Sequence, residues 1–255
     1  EVYHAGYIGK DGKMLLDLCQ QTGIFTQHIR IDESMPTGHA VIQVSKTGQN
    51  SIIVHGGANL CLSDAYIDGV LSHFQKGDIL LLQNEINLVD YIIRNAYARG
   101  MHIYYNPAPY SDDVKNYPLS LLECLIVNET EGQHLAETEE TGAGIIEKLG
   151  EKYSQIDILL TMGARGCILR HEGKNISVSA FTVDTVDTTA AGDTFIGYFL
   201  HGLATQKKVQ KSLSCAAAAS AICVSRFGAA ETIPKKEEVE VFLRERNCDY
   251  AASNY

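Results

Sequence analysis

Short apolar runs alternate with longer amphipathic stretches along most of the chain. Runs at 2–8, 78–83, 102–106, 124–127 and 157–161 have strand length and are bounded by polar or turn-forming residues. Stretches at 13–21, 63–75, 87–98, 129–136, 142–153, 190–204, 208–225 and 236–244 carry apolar residues at helical spacing. The alternation predicts an α/β fold with a mostly parallel central sheet and helices on both faces. Such sheets bind ligands beyond the carboxyl ends of their strands. Residues 39–55 break the rhythm: β-branched runs flank Lys46-Thr47-Gly48-Gln49-Asn50, which predicts a hairpin. Its place between two α/β segments suggests a projecting β lid at about 37–59 on a single domain spanning 1–255. The polar tail, 247–255, is expected to fray.

The stretch Asp187-Thr188-Thr189-Ala190-Ala191-Gly192-Asp193-Thr194-Phe195 carries the most chemistry. Phe195, Ile196, Phe199, Leu200 and Leu203 share one helical face, so Ala190, Ala191 and Gly192 fall at or just before a first turn. Backbone N–H groups there lack partners within the helix and attract anions, phosphate above all. An acid in a first turn also favours the positive end of the helix dipole, so a plain capping role for Asp193 stays open on these residues alone.

Composition narrows the function classes. The chain has 255 residues, 45% hydrophobic and 20% charged, with a formal net charge of −10. That balance argues against nucleic acid and anionic membranes as partners. No apolar run approaches the roughly 18 residues of a membrane span. Seven scattered cysteines without a C-x-x-C pair suggest reduced thiols in a cytoplasmic protein. The chain opens at Glu1 directly into a strand-like run, which suggests a preceding segment.

Several predicted strands end in polar residues. Gln83-Asn84-Glu85 offers a carboxylate that could accept sugar hydroxyls, or simply meet solvent. Asn106-Pro107-Ala108-Pro109 reads as a stiff turn. In Asn128-Glu129-Thr130-Glu131 the spacing fits a capping box, and equally an amide and a carboxylate beside phosphate and Mg²⁺. Thr161-Met162-Gly163-Ala164-Arg165-Gly166 permits close approach by a ligand, or a hairpin turn. A Walker-type phosphate loop, a dinucleotide fingerprint, a metal-dense cluster and a nucleophile elbow are absent.

Taken in this order, the blocks resemble the ribokinase family of carbohydrate kinases. Asp187–Phe195 is similar to its C-terminal signature, and Asn128–Glu131, Thr161–Gly166 and Arg226-Phe227-Gly228-Ala229 support it at matching spacing. The resemblance implies ATP-dependent phosphorylation of a sugar hydroxyl, D-ribose first; fructose, a keto-deoxy sugar acid, a nucleoside, or a nucleotide-binding remnant without activity are the alternatives. It implies Asp193 as the general base, with Ala190, Ala191 and Gly192 as the anion hole. Glu85 would touch the sugar, together with Asp193. Asn128, Thr161, Gly163, Ala164, Arg165, Gly166, Gly192 and Ala217 would lie at the nucleotide, with Ala217 where the family can carry a histidine beside adenine. Glu131 would order the Mg²⁺ hydration shell. Asp187, Thr189, Cys223, Arg226, Gly228 and Thr232 would hold a monovalent cation, K⁺, mostly through carbonyls. Homodimerisation through the lid is a further expectation. The family's first strand, acidic sugar motif and Gly-rich sugar segment have no counterpart in this sequence, whether it is a fragment, lacks an upstream coding region or is shortened.

Overall fold

The computed structural model describes residues 1–44 and 50–246. The chain divides into two units, Glu1–Glu123 and Cys124–Tyr255. In the first, β1 (Tyr3–Gly9) and β2 (Phe25–Asp32) pair in parallel around α1 (Lys13–Gln21). A second crossover follows α2 (Asp64–Leu71): β5 (Ile79–Leu82), α3 (Val89–Ala98) and the parallel strand β6 (His102–Tyr105). α3 buries Val89, Ile92, Ile93 and Ala96, spaced as one helical stripe, and Ile103 and Tyr105 of β6 are fully buried.

Between these crossovers β3 (His39–Val44) and β4 (Asn50–His55) form an antiparallel ribbon, as the alternating pattern predicts. The expected turn at 45–49 and the tail at 247–255 lie outside the described residues. The base of the ribbon is tied to β1. Asp11 Oδ1 accepts hydrogen bonds from the amide and hydroxyl of Thr37 at 2.9 and 2.7 Å, and Thr37 Oγ1 accepts from the Gly9 amide at 3.0 Å. A Cβ on Gly9 would stand 2.5 Å from the Met35 carbonyl, so only glycine lets these segments close.

In the second unit β7 (Cys124–Asn128) and β8 (Asp157–Thr161) pair in parallel, with α4 (Glu129–Ala136) and α5 (Ala143–Lys152) between them. Cys124–Val127 and Ile158–Leu160 are buried without interruption, which accounts for their apolar runs. β9 (Cys167–His171) and β10 (Lys174–Val178) continue antiparallel from β8. Three helices follow, α6 (Ala191–Ala204), α7 (Val209–Val224) and α8 (Lys236–Glu245). α7 buries Ala216, Ala217, Ala218, Ala219 and Ala221; these small side chains let α6 and α7 approach closely.

Two strands have no apolar run to announce them. β2 reads Phe-Thr-Gln-His-Ile-Arg-Ile-Asp and β10 reads Lys-Asn-Ile-Ser-Val, both too polar for that signal. Among the described residues, no helix is long and apolar enough to cross a membrane.

Candidate active site

The carboxyl ends of β7 and β8 bring Asn128 and Thr161 into register as neighbours. Asn128 caps α4: its Oδ1 accepts the Glu131 amide at 2.9 Å. Glu131 reaches back, Oε2 accepting the Asn128 amide at 3.0 Å and Oε1 accepting Asn128 Nδ2 at 2.8 Å. This reciprocal box holds an amide and a nearly buried carboxylate rigidly at a strand end. Such a cap is worth about 1 kcal/mol.

Glu129, next in the chain, forms an ion pair with Arg165 and accepts the Gly142 amide at 3.3 Å. The start of α4 is thereby joined to the 163–166 turn. Gly163 and Gly166 differ within that turn. A Cβ on Gly163 would meet open space, whereas one on Gly166, at φ +95°, would collide with the Val178 carbonyl. Gly166 therefore closes the hairpin, and Gly163 and the exposed Ala164 leave the surface open for a ligand. Ala217 is buried on α7.

At the start of α6 the first ladder bond runs from the Thr194 amide to the Ala190 carbonyl at 2.9 Å, so the Gly192 amide precedes the ladder. The Ala191 amide makes only a long contact, 3.3 Å, to the Thr188 carbonyl. No atom comes within 4 Å of a Cβ placed on Gly192, which leaves room for an anion. Asp193 is exposed in this first turn. Ala190 holds the cap with φ +59°, a left-handed conformation that costs a non-glycine residue about 1–2 kcal/mol. Ser220 of α7 donates to the Ala191 carbonyl at 3.1 Å and fixes the turn from behind.

Asp187 has a different task. Its Oδ1 accepts the Thr189 amide at 2.9 Å and the Thr189 hydroxyl at 2.7 Å, and its Oδ2 accepts the Gly228 amide at 3.3 Å. The Thr189 hydroxyl first, then these amides, hold its carboxyl below the ordinary carboxylate range. Cys223 joins the cluster, its Sγ 3.0 Å from Thr232 Oγ1 and 3.7 Å from the Thr189 carbonyl. Arg226 turns its guanidinium to Glu238 and to the Thr232 carbonyl. The structure thus brings together Asp187, Thr189, Cys223, Arg226, Gly228 and Thr232. They surround the turn that carries Asp193.

Glu85 belongs to the first unit and follows β5 in an exposed bend. Its neighbour Asn84 is latched by four hydrogen bonds: its amide to Ala108 O, Nδ2 to Pro109 O and Ser111 Oγ, and Oδ1 from Tyr105 Oη. The Pro-rich turn is therefore the wall that sets the backbone next to Glu85. Its Ala108–Pro109 bond is cis.

Comparison with known proteins decides the family. The pfkB family of carbohydrate kinases matches the chain over residues 1–236. The chain belongs to this family. It is 35% identical over 243 residues to the ribokinase of Haemophilus influenzae, covering 92% of this chain and 79% of that protein. Against the ribokinase of Schizosaccharomyces pombe the identity is 32% over 248 residues, covering 92% and 77%. Among solved structures, ribokinase from Thermotoga maritima superposes with a TM-score of 0.82 at 35% identity, covering 95% of this chain and 81% of that one. Arabidopsis thaliana ribokinase, solved in complex with ribose and ATP, gives 0.84 at 30% identity, covering 95% and 81%. The chain is a ribokinase-like carbohydrate kinase.

Four residues that hold these segments in place have no role in the expectations drawn from the motifs. Glu129 holds Arg165, Ser220 holds the α6 turn, Glu238 holds Arg226, and Asp11 anchors the base of the ribbon. Glu129 and Glu238 had a sequence signal, since each sits in a first helical turn where acids are favoured. Ser220 and Asp11 had none, because their partners are 29 and 26 residues away.

Proposed function

We propose that this kinase transfers the γ-phosphoryl group of ATP to a hydroxyl of D-ribose, with Asp193 as the general base. The observation that carries the reading is the α6 turn: an exposed carboxylate beside a glycine amide that precedes the helix ladder and faces open space. Phosphoryl transfer asks for this pairing. The base takes the hydroxyl proton as the oxygen attacks, and amides stabilise the charge growing on the phosphoryl oxygens. Ribose is favoured because the ribokinases above match along nearly the whole chain, one of them named with ribose and ATP bound. In this reading Glu85 accepts sugar hydroxyls, Asn128, Thr161, Gly163 and Ala164 line the nucleotide, and Arg165 is steered by Glu129.

The residues fit two ions. Mg²⁺ is commonly held by one or two carboxylates plus substrate phosphates. Among the described residues no cluster of three or more His, Cys, Asp or Glu could hold a metal alone, so Glu131, fixed by Asn128, would act through bound water. When bound, Mg²⁺ neutralises charge on the transferring phosphates. In this reading the second ion would take the Asp187 carboxylate, the Thr232 hydroxyl and carbonyls of Thr189, Cys223, Arg226 and Gly228. This is an all-oxygen set suited to a hard cation such as K⁺. Its role is to hold the turn, not to touch substrate.

The ribbon exposes Val41, Ile53 and Val54, which supports dimerisation through the lid. Among the described residues, free thiols at Cys19, Cys61, Cys124, Cys167, Cys215 and Cys223 suit a reducing cytoplasm. A coupled ADP-release assay over ribose, fructose, a keto-deoxy sugar acid and a nucleoside, with Mg²⁺ and K⁺ present, tests the substrate. Fastest turnover is expected with ribose; no turnover of ribose beside brisk turnover of another acceptor would overturn the assignment.

A further inference from the structure

A small cavity lies within the first unit, beside β2 and α2. Its volume is about 160 Å³, and it is lined by His28 and Arg30 of β2, Tyr66, Gly69 and Val70 of α2, and His73 just past the end of α2. His28 and Arg30 are two residues apart on a strand and share one face, while Tyr66, Gly69, Val70 and His73 follow helical spacing. None of the lining residues is acidic. Of the two acids of α2, Asp68 is engaged by the Tyr91 hydroxyl at 3.1 Å, and Asp64 is exposed at the helix start beside the lining Ala65. Three groups able to carry positive charge therefore converge on one hollow of a protein with a net charge of −10.

The polar atoms point to the ligand. His28 is only 6% exposed, and its Nε2 is buried without a hydrogen-bond partner. Its ring lies 4.8 Å from that of His73. His73 Nδ1 is 2.9 Å from the Gly69 carbonyl, which can only accept, so the proton sits on Nδ1 and Nε2 is left for another partner. Arg30 makes no ion pair among the described residues. Burial, His73 and Arg30 hold His28 below the ordinary imidazole range, so an anion here would relieve a repulsion already built in. The Tyr66 hydroxyl is occupied by the His28 carbonyl at 2.5 Å and does not compete.

Size limits the choice. At roughly 30 Å³ per water the cavity holds about five waters, well below the ~300 Å³ at which pockets for larger ligands begin. We propose that this cavity binds a small oxyanion of the phosphate type, either free phosphate or the phosphoryl head of a sugar phosphate, through Arg30, His28 and His73. Arg30 is suited to the task because its planar fork matches two phosphate oxygens at once.

Isothermal titration of the full chain with inorganic phosphate tests this, followed by ribose 5-phosphate as the phosphomonoester. Saturable binding is expected, weakened about tenfold or more in Arg30→Ala, the scale set by losing a charge-assisted contact. Gly69→Leu should abolish binding without changing charge, since a Cβ there meets open space and the side chain would fill the hollow. Thermal melts without phosphate verify that each variant is folded, and if Arg30→Ala is not, Gly69→Leu decides alone. Whichever ligand binds more tightly through Arg30 identifies the source. Absence of saturable binding, or binding unchanged in folded variants, would overturn the proposal.

Discussion

Asp187 Oδ2 accepts a hydrogen bond from the Gly228 amide at 3.3 Å, across 41 residues of chain. That contact joins the loop after α7 to the turn bearing Asp193. The same carboxylate holds Thr189 with its other oxygen, so one side chain sets the entry to α6. If an alkali cation completes this arrangement, turnover should rise with added KCl. In Asp187→Asn the response should flatten while ATP binding persists. Unchanged K⁺ activation in that variant would remove the cluster from the account.

Acid should loosen the same contacts. Asp187, Asp11 and Asp32 are each held below the ordinary value of 3.8, mainly by hydroxyl or amide donors on Thr189, Thr37 and Ser34. A depressed folded pKa gives stability that is present above the unfolded value and lost as pH falls through the folded one. The melting temperature should therefore fall most steeply below about pH 4. Thr37→Val, which removes a donor from Asp11, should make that fall shallower.

Ala190 occupies a left-handed cap that favours glycine. Relief of about 1–2 kcal/mol, less about 0.5–1 for glycine's extra chain entropy, predicts that Ala190→Gly stabilises by up to about 1.5 kcal/mol. Denaturant melts measure this, and a loss of stability would contradict the strained geometry.

The box between Asn128 and Glu131 combines capping with proposed catalysis, and two substitutions separate the roles. Glu131→Gln keeps one acceptor for the Asn128 amide but sets its NH2 against Asn128 Nδ2, so a modest loss of stability is expected beside a drop in turnover and a rise in the Mg²⁺ concentration for half-activity. Asn128→Ala should cost about 1 kcal/mol of stability. An unchanged Mg²⁺ profile in Glu131→Gln would reduce that residue to a cap.

Much of this protein is legible in sequence because its strongest signals are local. The runs Cys124–Val127 and Ile158–Leu160 announce buried parallel strands, and Asn128 with Glu131 announces a cap that forms as read. β2 and β10 stayed hidden because their polar residues break the apolar pattern, although His28 on β2 proves buried. Within the site, type and spacing paired Asp187 and Asp193, and the family resemblance gave them different expected tasks. The contacts that Gly228 and Ser220 make with this turn are brought by the tertiary fold alone. For Gly166 the sequence allowed a ligand contact or a hairpin turn, and packing against the Val178 carbonyl accounts for the turn.

The general base is the central claim, and single-turnover kinetics of Asp193→Asn with ribose, ATP, Mg²⁺ and K⁺ tests it most directly. The substitution keeps the shape and removes the proton acceptor. The rate should fall by about 10²–10⁴ while ATP binding changes little. A variant that phosphorylates ribose at the rate of the unsubstituted protein would contradict the account.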